Sequence, residues 1–220
     1  MKRVGEPSGK GTDQTKARIL AAAAKLFDAQ GFDGTTVRQI AKEADVNLAL
    51  ISYYFNGKRG LLEVLIASYY ETFFRLLSEQ KAASPQLDPL DELLAVVRLY
   101  VFFQRDHAAV TRLIQRELSV ESMLAREVMT VYIHRWKHIF SSILEEGISR
   151  NLFVPLSVDQ VLLAMTSLLV YPYLNLQAVR EVYYLEPGSD EFCEWLVASV
   201  EQLFRSLLIP LSSPSSPDNA

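Results

Sequence analysis

The stretch Thr35-Thr36-Val37-Arg38-Gln39-Ile40-Ala41-Lys42-Glu43-Ala44-Asp45-Val46-Asn47-Leu48-Ala49-Leu50-Ile51-Ser52-Tyr53-Tyr54-Phe55-Asn56-Gly57-Lys58 decides the fold. Its pattern predicts two short helices about a tight turn. A side-chain oxygen of Thr35 or Thr36 can accept an orphan backbone N–H and so cap the first helix, after which Val37, Ile40, Ala41 and Ala44 share an apolar face. Asp45-Val46 is the turn. Asn47 is the N-cap of the second helix, Leu48 to Tyr54, whose Leu50, Ile51 and Tyr54 recur at helical spacing. A helix this short is not stable alone in water, so it must be docked on neighbours with its outer face free. Of its aromatics, Phe55 is expected to be buried and Tyr53 exposed.

Working outward, a first helix is predicted from just after Asp13 to Gln30-Gly31, with Ala17, Leu20, Ala21, Ala24 and Phe27 inward and glycine at a left-handed C-cap. Phe32 should pack under the next two helices. A long helix follows from Lys58 to about Gln80, with Leu61, Leu62, Leu65, Ile66, Tyr69, Phe73, Leu76 and Leu77 on one side. It links the head to the rest of the chain, and through it a change in the body could move the head. Asp88-Pro89 caps a helix reaching about Gln104. Further helices are expected over about Asp106–Ser119, Ser122–Arg150, Ser157–Leu176 and Ser189–Leu208, with Glu186-Pro187-Gly188 as a turn. The fold class is therefore all-α: residues 1–12 a disordered tail, 13–57 a helix-turn-helix head of three helices, 58–209 a helical bundle, and 210–220 a second disordered tail.

Ile19-Leu20-Ala21-Ala22-Ala23, Leu26-Phe27, Gly31-Phe32, Thr35-Thr36-Val37, Ile40-Ala41, Ala44, Val46, Tyr54-Phe55, Lys58 and Leu61-Leu62, over roughly residues 14–62, strongly resemble the DNA-binding domain of the TetR family of bacterial transcriptional regulators. More narrowly, Ile51-Ser52-Tyr53-Tyr54-Phe55 and Tyr69-Tyr70-Glu71 are similar to the RefZ-type sporulation regulators of spore-forming bacteria. The resemblance implies that Leu48–Tyr54 enters the major groove of double-stranded DNA, with Thr35, Thr36, Arg38, Asn47, Leu48, Ala49, Leu50, Ser52, Tyr53, Tyr54 and Lys58 at the interface. The family often has tyrosine where this chain has Ser52, a position that helps hold the phosphate backbone; Tyr53 and Tyr54 can supply hydroxyls instead. Lys58 stands where the family uses a lysine and a helix N-terminus to grip phosphate. Only Asn47 near the helix start offers a bidentate polar group, so readout leans on thymine methyls, on Arg38 in reach of a guanine or a phosphate, and on DNA shape. The resemblance further implies a homodimer whose last two long helices form a four-helix bundle, through Val161, Met165, Leu168, Tyr173, Phe192, Leu196, Val200, Leu203 and Phe204, and a palindromic operator.

Charge is divided along the chain. Residues 1–60 hold ten Lys/Arg against six Asp/Glu and carry +4, while the remainder carries −8 within a net −4. Phosphate binding needs local positive charge, and an acidic body keeps the rest of the protein off DNA. Half the residues are apolar and 22% charged, which argues for a well-buried globular chain. One cysteine, Cys193, excludes an intramolecular disulfide and fits a reducing cytoplasm, at the nucleoid. No signal peptide is visible, and the longest apolar stretch, Val161–Leu174, is interrupted by Thr166, Ser167 and Pro172 and is shorter than the ~20 residues of a bilayer span, so no membrane is expected.

Catalytic signals are missing. His107, His134 and His138 come without a phosphate loop or nucleophile elbow; His134 and His138, four apart, flank Trp136 and lack the further ligands of a zinc site, so neither metal nor cofactor is expected. Cys193 reads as core. The aromatics Tyr100, Phe103, Tyr132, Trp136 and Tyr171 read first as core, with an apolar small-molecule effector as their functional alternative. The leading function is a homodimeric DNA-binding regulator that represses by blocking a promoter. A second is a DNA-bound regulator of chromosome positioning or cell division whose body docks on a protein. A third, an enzyme or apolar-ligand carrier, has no catalytic set behind it.

Overall fold

The computed structural model describes residues 9–209, and every regular element among them is helical. In chain order they are α1 (Gly9–Gly34), α2 (Val37–Glu43), α3 (Leu48–Phe55), α4 (Lys58–Ala83), α5 (Pro89–Asp106), α6 (Ala108–Leu118), α7 (Met123–Val128), a π-helical turn (Met129–Ile133), α8 (His134–Ser149), α9 (Val158–Leu174), α10 (Leu176–Tyr183) and α11 (Asp190–Leu208). The helix starts follow local capping chemistry. Asp88 Oδ1 accepts from the N–H groups of Leu90 and Asp91 at 2.9 and 3.0 Å, Ser122 Oγ from Ala125 at 3.0 Å and Ser189 Oγ from Phe192 at 3.1 Å.

Two compact units arise, and their border is not at Lys58. The first joins the chain up to Phe74 with His107–Val128, and the second joins Arg75–Asp106 with the chain from Met129 onward. The reason is burial along α4: Leu61, Leu62, Leu65, Ile66, Tyr69, Tyr70, Phe73 and Phe74 are all buried, so its first turns belong to a core and not to a connector. The N-terminal boundary also moves, since α1 begins at Gly9 and not after Asp13. The rest of the two expected tails, residues 1–8 and 210–220, lies outside the described residues.

In the first unit α1 buries Ile19, Ala22, Ala23 and Phe27, and α6 packs along it. Gly31 breaks the helical path with φ 78° and ψ 166°; positive φ was expected there, but ψ is extended and the last residues of α1 continue beyond the kink. Just before the kink, Arg112 of α6 holds the Asp28 carboxylate with Nε and Nη2 at 2.9 and 2.5 Å, while Arg116 donates to the Phe27 carbonyl at 2.9 Å. This is the bidentate, partly buried geometry in which an ion pair contributes most.

In the second unit α5 packs against α8 and α11, α8 against α9, and α9 against α10. Arg98 forks onto Glu194 at 2.7 and 2.5 Å, and Arg105 pairs with Asp190, tying α5 to α11. The helix expected over Ser122–Arg150 forms, with the π-helical turn inside it. The one expected over Ser157–Leu176 stops at Leu174 and turns by 86° into α10, an element the pattern did not reveal. No single helix among the described residues is long and apolar enough to cross a membrane.

Asp28→Ala should remove the carboxylate that Arg112 holds, leave the Arg116 bond to the Phe27 carbonyl in place, and lower stability by about 1–3 kcal/mol. A thermal melt checks this, and an unchanged midpoint would assign the docking of α6 to its apolar face alone.

Candidate nucleic-acid interface

Each short helix of the Thr35–Lys58 stretch is fixed by its own capping group. Thr36 starts α2 with a reciprocal box, its Oγ1 accepting from Gln39 N–H at 3.2 Å while Gln39 Oε1 accepts from Thr36 N–H at 2.8 Å. Thr35 does a different job from the interface role expected of it. It is buried, and its hydroxyl donates back to the Gly31 carbonyl at 2.7 Å. Asp45 makes the turn with φ 51°. Arg18 of α1 clasps that turn from below, donating to the carbonyls of Ala44 and Asp45 at 2.5 and 2.8 Å. Asn47 Oδ1 then caps α3 by accepting from Ala49 N–H at 2.9 Å, and Asn56 closes it in the left-handed region at φ 55°.

The helix so framed has two faces. Ile51 and Phe55 point inward and are buried, whereas Asn47, Leu48, Ala49, Ser52 and Tyr53 are exposed and Leu50 and Tyr54 are half-buried. Tyr53, 79% exposed, leans on the Tyr54 ring edge-on at 5.0 Å, and the Lys16 ammonium lies 5.4 Å from the centre of that ring. Arg38 and Lys42 of α2 are exposed as well. The outer face is thus small, mildly apolar and hydroxyl-bearing within a rim of cations, which suits groove contact flanked by phosphate contact.

Lys58 departs from its expected role. Its ammonium turns into the unit, donating to the Phe32 carbonyl at 2.8 Å and standing 4.3 Å from the centre of the Phe32 ring, which itself packs on Phe27. That carbonyl lies beyond the Gly31 kink and also accepts from Thr35 N–H at 3.2 Å, so Lys58 is its second donor. Lys58 is a strut from α4 to the end of α1. Arg59 is the exposed cation next to it, paired with Glu63 at 3.0 Å. The next residue, Gly60, lies so close under the Phe55 carbonyl that an added Cβ would collide with it. Arg18 and Arg59 are the two residues that sequence reasoning passed over. Adjacency to Lys58 could have raised Arg59; nothing local pointed to Arg18, whose partners lie 26 and 27 residues on.

Comparison with known proteins agrees with this geometry. A family model described as "Bacterial regulatory proteins, tetR family" matches residues 19–65. A Bacillus subtilis (strain 168) protein described as "Probable HTH-type transcriptional regulator YttP" is 37% identical over 193 residues, spanning 88% of this chain and 93% of its own length. The chain belongs to the TetR family. Among solved structures, a tetR-family regulatory protein from Rhodococcus RHA1 superposes with a TM-score of 0.72 at 25% identity, covering 90% of this chain and 98% of that one. The complex of AibR with isovaleryl coenzyme A and operator DNA shares the fold, with a TM-score of 0.70 at 14% identity over 90% and 100% of the two chains. As a TetR-family member the chain is an all-α helix-turn-helix transcriptional regulator, in a family of regulators and not of enzymes.

Two other regions expected to be functional in this TetR-family chain look different once folded. Of the expected effector residues, Tyr100 and Phe103 are buried, and Tyr100, Trp136 and Phe140 pack on one another with centroids 4.4 Å apart at each step, so these rings fill space between α5 and α8. Tyr132 sits in the π-helical turn, and Tyr171 lines a separate hollow with Tyr183 and Trp195. Of the expected dimer residues, Val161, Met165, Tyr173, Phe192, Leu196, Val200 and Phe204 are buried within their own unit, and only Leu168 and Leu203 stay exposed. Helices α9 and α11 are apolar on two sides, and the pattern named the inner one. Cys193 is buried, and burial pushes its thiol above the ordinary range, the opposite of a reactive thiolate.

Lys58→Met should lower stability by about 1–2 kcal/mol through the lost charge-assisted bond while leaving the salt dependence of DNA binding unchanged. Thermal melts and binding isotherms over a salt series separate the two effects; a shallower salt slope at full stability would return Lys58 to the phosphate backbone.

Proposed function

We propose that this chain is a homodimeric repressor that reads a palindromic operator by placing α3 of each copy in the major groove. The observation that carries the reading is the division of α3 into an inner face held by Ile51 and Phe55 and an exposed outer face of Leu48, Ala49, Ser52 and Tyr53, headed by the capping Asn47. Arg38 and Lys42 flank it as phosphate contacts, and with so few bidentate groups part of the specificity comes from DNA shape. The protein acts in the cytoplasm, on the nucleoid.

The second copy is proposed to sit on the outer face of α9 and α11. Leu163, Leu168, Tyr171, Leu174, Trp195, Leu203 and Leu207 are all exposed there, with Leu163 at 72% and Trp195 at 51%. A hollow of about 580 Å³ lined by Leu168, Tyr171, Tyr183, Phe192 and Trp195 opens among α9, α10 and α11. Monomeric proteins rarely leave so much contiguous apolar surface in water. The buried residues first assigned to the interface form the floor beneath it.

Selection of genomic fragments by the purified protein in moderate salt tests the reading directly. Enrichment of a palindrome beside a gene or operon is expected; palindromes far from promoters would shift the role to chromosome organisation, and no enrichment would remove DNA recognition. Leu203→Glu should weaken self-association by at least about 2 kcal/mol, roughly thirtyfold, seen as monomer in analytical ultracentrifugation with the helical content kept. A persistent dimer would move the interface away from this face.

A further inference from the structure

We propose that Tyr184, at the corner between α10 and α11, is a hook that seats in the apolar hollow of a second copy of this chain, so that two hooks and two hollows lock the dimer. The inference rests on the dimer reading above and names a contact that it does not contain. Among the described residues, the non-glycine positions with positive φ are Asp45, Asn56, Asn151 and Tyr184. The first three are Asp or Asn, whose short polar side chains suit the left-handed region. Tyr184 is the exception, an aromatic residue at φ 56° and ψ 35°.

Packing within its own unit does not repay that conformation. Tyr184 is 87% exposed, more than any other large apolar or aromatic residue described. Glycine or asparagine would close α10 at less cost. The corner that carries the ring is nonetheless firmly built. The N–H groups of Tyr184 and Leu185 both donate to the Val179 carbonyl, the second at 3.2 Å. Arg180 forks onto Glu186 with Nε and Nη2 at 2.7 Å each, and from α9 the Tyr173 hydroxyl donates to the Pro187 carbonyl at 3.3 Å. A large ring held exposed on a braced corner is a preorganised contact, because little freedom is lost when it docks.

The recess that suits it belongs to the same surface. Tyr183 and Leu185, on either side of Tyr184 in the chain, line the hollow of about 580 Å³ with Tyr171 and Trp195, and Tyr184 itself does not. The hollow shares Leu168, Tyr171 and Trp195 with the exposed face of α9 and α11 on which the second copy is proposed to sit, so hook and recess are continuous with that interface. About a two-fold axis every contact is returned, and one tyrosine per chain fills both hollows. A dimer that left them empty would forfeit the contacts of their lining. The ring brings apolar area to that lining, and its hydroxyl can meet those of Tyr171 and Ser167.

The test measures self-association of the full-length protein by analytical ultracentrifugation. Tyr184→Gly should weaken the dimer about a hundredfold, from a loss of about tenfold at each of two symmetric contacts. In the Leu203→Glu background, where the chain is expected as a monomer, the same substitution should hold or raise the thermal midpoint, because glycine relieves the left-handed strain. These opposite signs separate a hook from a residue that props its own fold, and Tyr184→Asn, which also tolerates this conformation, should repeat them. Trp195→Ala should weaken the dimer too, and Tyr184→Gly added to it should cost less than it does alone. A Tyr184→Gly dimer of wild-type affinity overturns the hook and leaves the face of α9 and α11 in place. A lowered midpoint in the monomer overturns it in favour of a structural role. Anilinonaphthalene sulfonate bound by the wild-type dimer and lost in Trp195→Ala also overturns it, since the hollow would then be open to a small apolar molecule. A wild-type chain that stays monomeric falls on the dimer reading itself.

Discussion

Eight residues of α3 cannot hold a helix in water, so recognition depends on the inward contact of Ile51 and Phe55. Burying two such side chains contributes about 1.5–3 kcal/mol each, which exceeds what a single capping bond supplies. Three further restraints then fix where the helix points. Arg18 fixes the carbonyls before it, Asn47 caps its start, and Lys58 ties the segment after it to Phe32. Every one of these groups faces inward or along the backbone. Apart from the cap at Asn47, the outer face packs against nothing in its unit, and in the proposed reading that freedom allows its composition to be set by DNA.

The sequence discloses whatever depends on near neighbours. The caps at Thr36, Asn47, Asp88 and Ser189, the turn at Asp45 and the burial of Phe55 with exposure of Tyr53 all follow from residues a few positions apart, and they stand as expected. The readings that changed depend on partners far along the chain or on which of two faces wins. Thr35 and Lys58 have the right chemistry for DNA, but around the Gly31 kink their polar ends donate to the carbonyls of Gly31 and Phe32. The 86° bend into α10 follows Pro172 by only a few residues, yet a proline inside a helical pattern does not say whether the chain will straighten or turn.

Helices α9 and α11 show why apolar periodicity alone does not define an interface. Both carry enough apolar residues for two faces, and the inner one is taken by contact with α5, α8 and each other's neighbourhood: Met165, Leu169 and Tyr173 on α9, Phe192, Leu196, Val200 and Phe204 on α11. The outer set, which includes Leu163, Trp195 and Leu207, becomes visible only when the inner set is known. The aromatic cluster of α5 and α8 follows the same logic in reverse. Rings that could have lined a cavity instead pack against one another at tilted angles, and their enrichment records packing before it records binding.

A surface such as that of α3 constrains the kind of specificity available to it. Leu48 and Ala49 can discriminate a thymine methyl but cannot fork onto a purine edge, and the Asn47 oxygen is already engaged by Ala49 N–H, leaving only its amide nitrogen for a base. In the proposed docking of α3, direct readout is therefore thin at its centre. Selectivity must be gathered from several phosphate contacts whose spacing tests the shape of the duplex, since a correctly spaced set forms only on DNA that adopts the right groove width and bend. Cations standing free above the surface would also hold any duplex, whatever its sequence. Arg18 turned onto carbonyls, Lys25 paired with Glu43 and Lys58 turned onto Phe32 take three cations out of that role. With the remainder of the chain acidic, the attraction that is left is concentrated at few points, and a protein attracted at few points depends on having all of them satisfied at once.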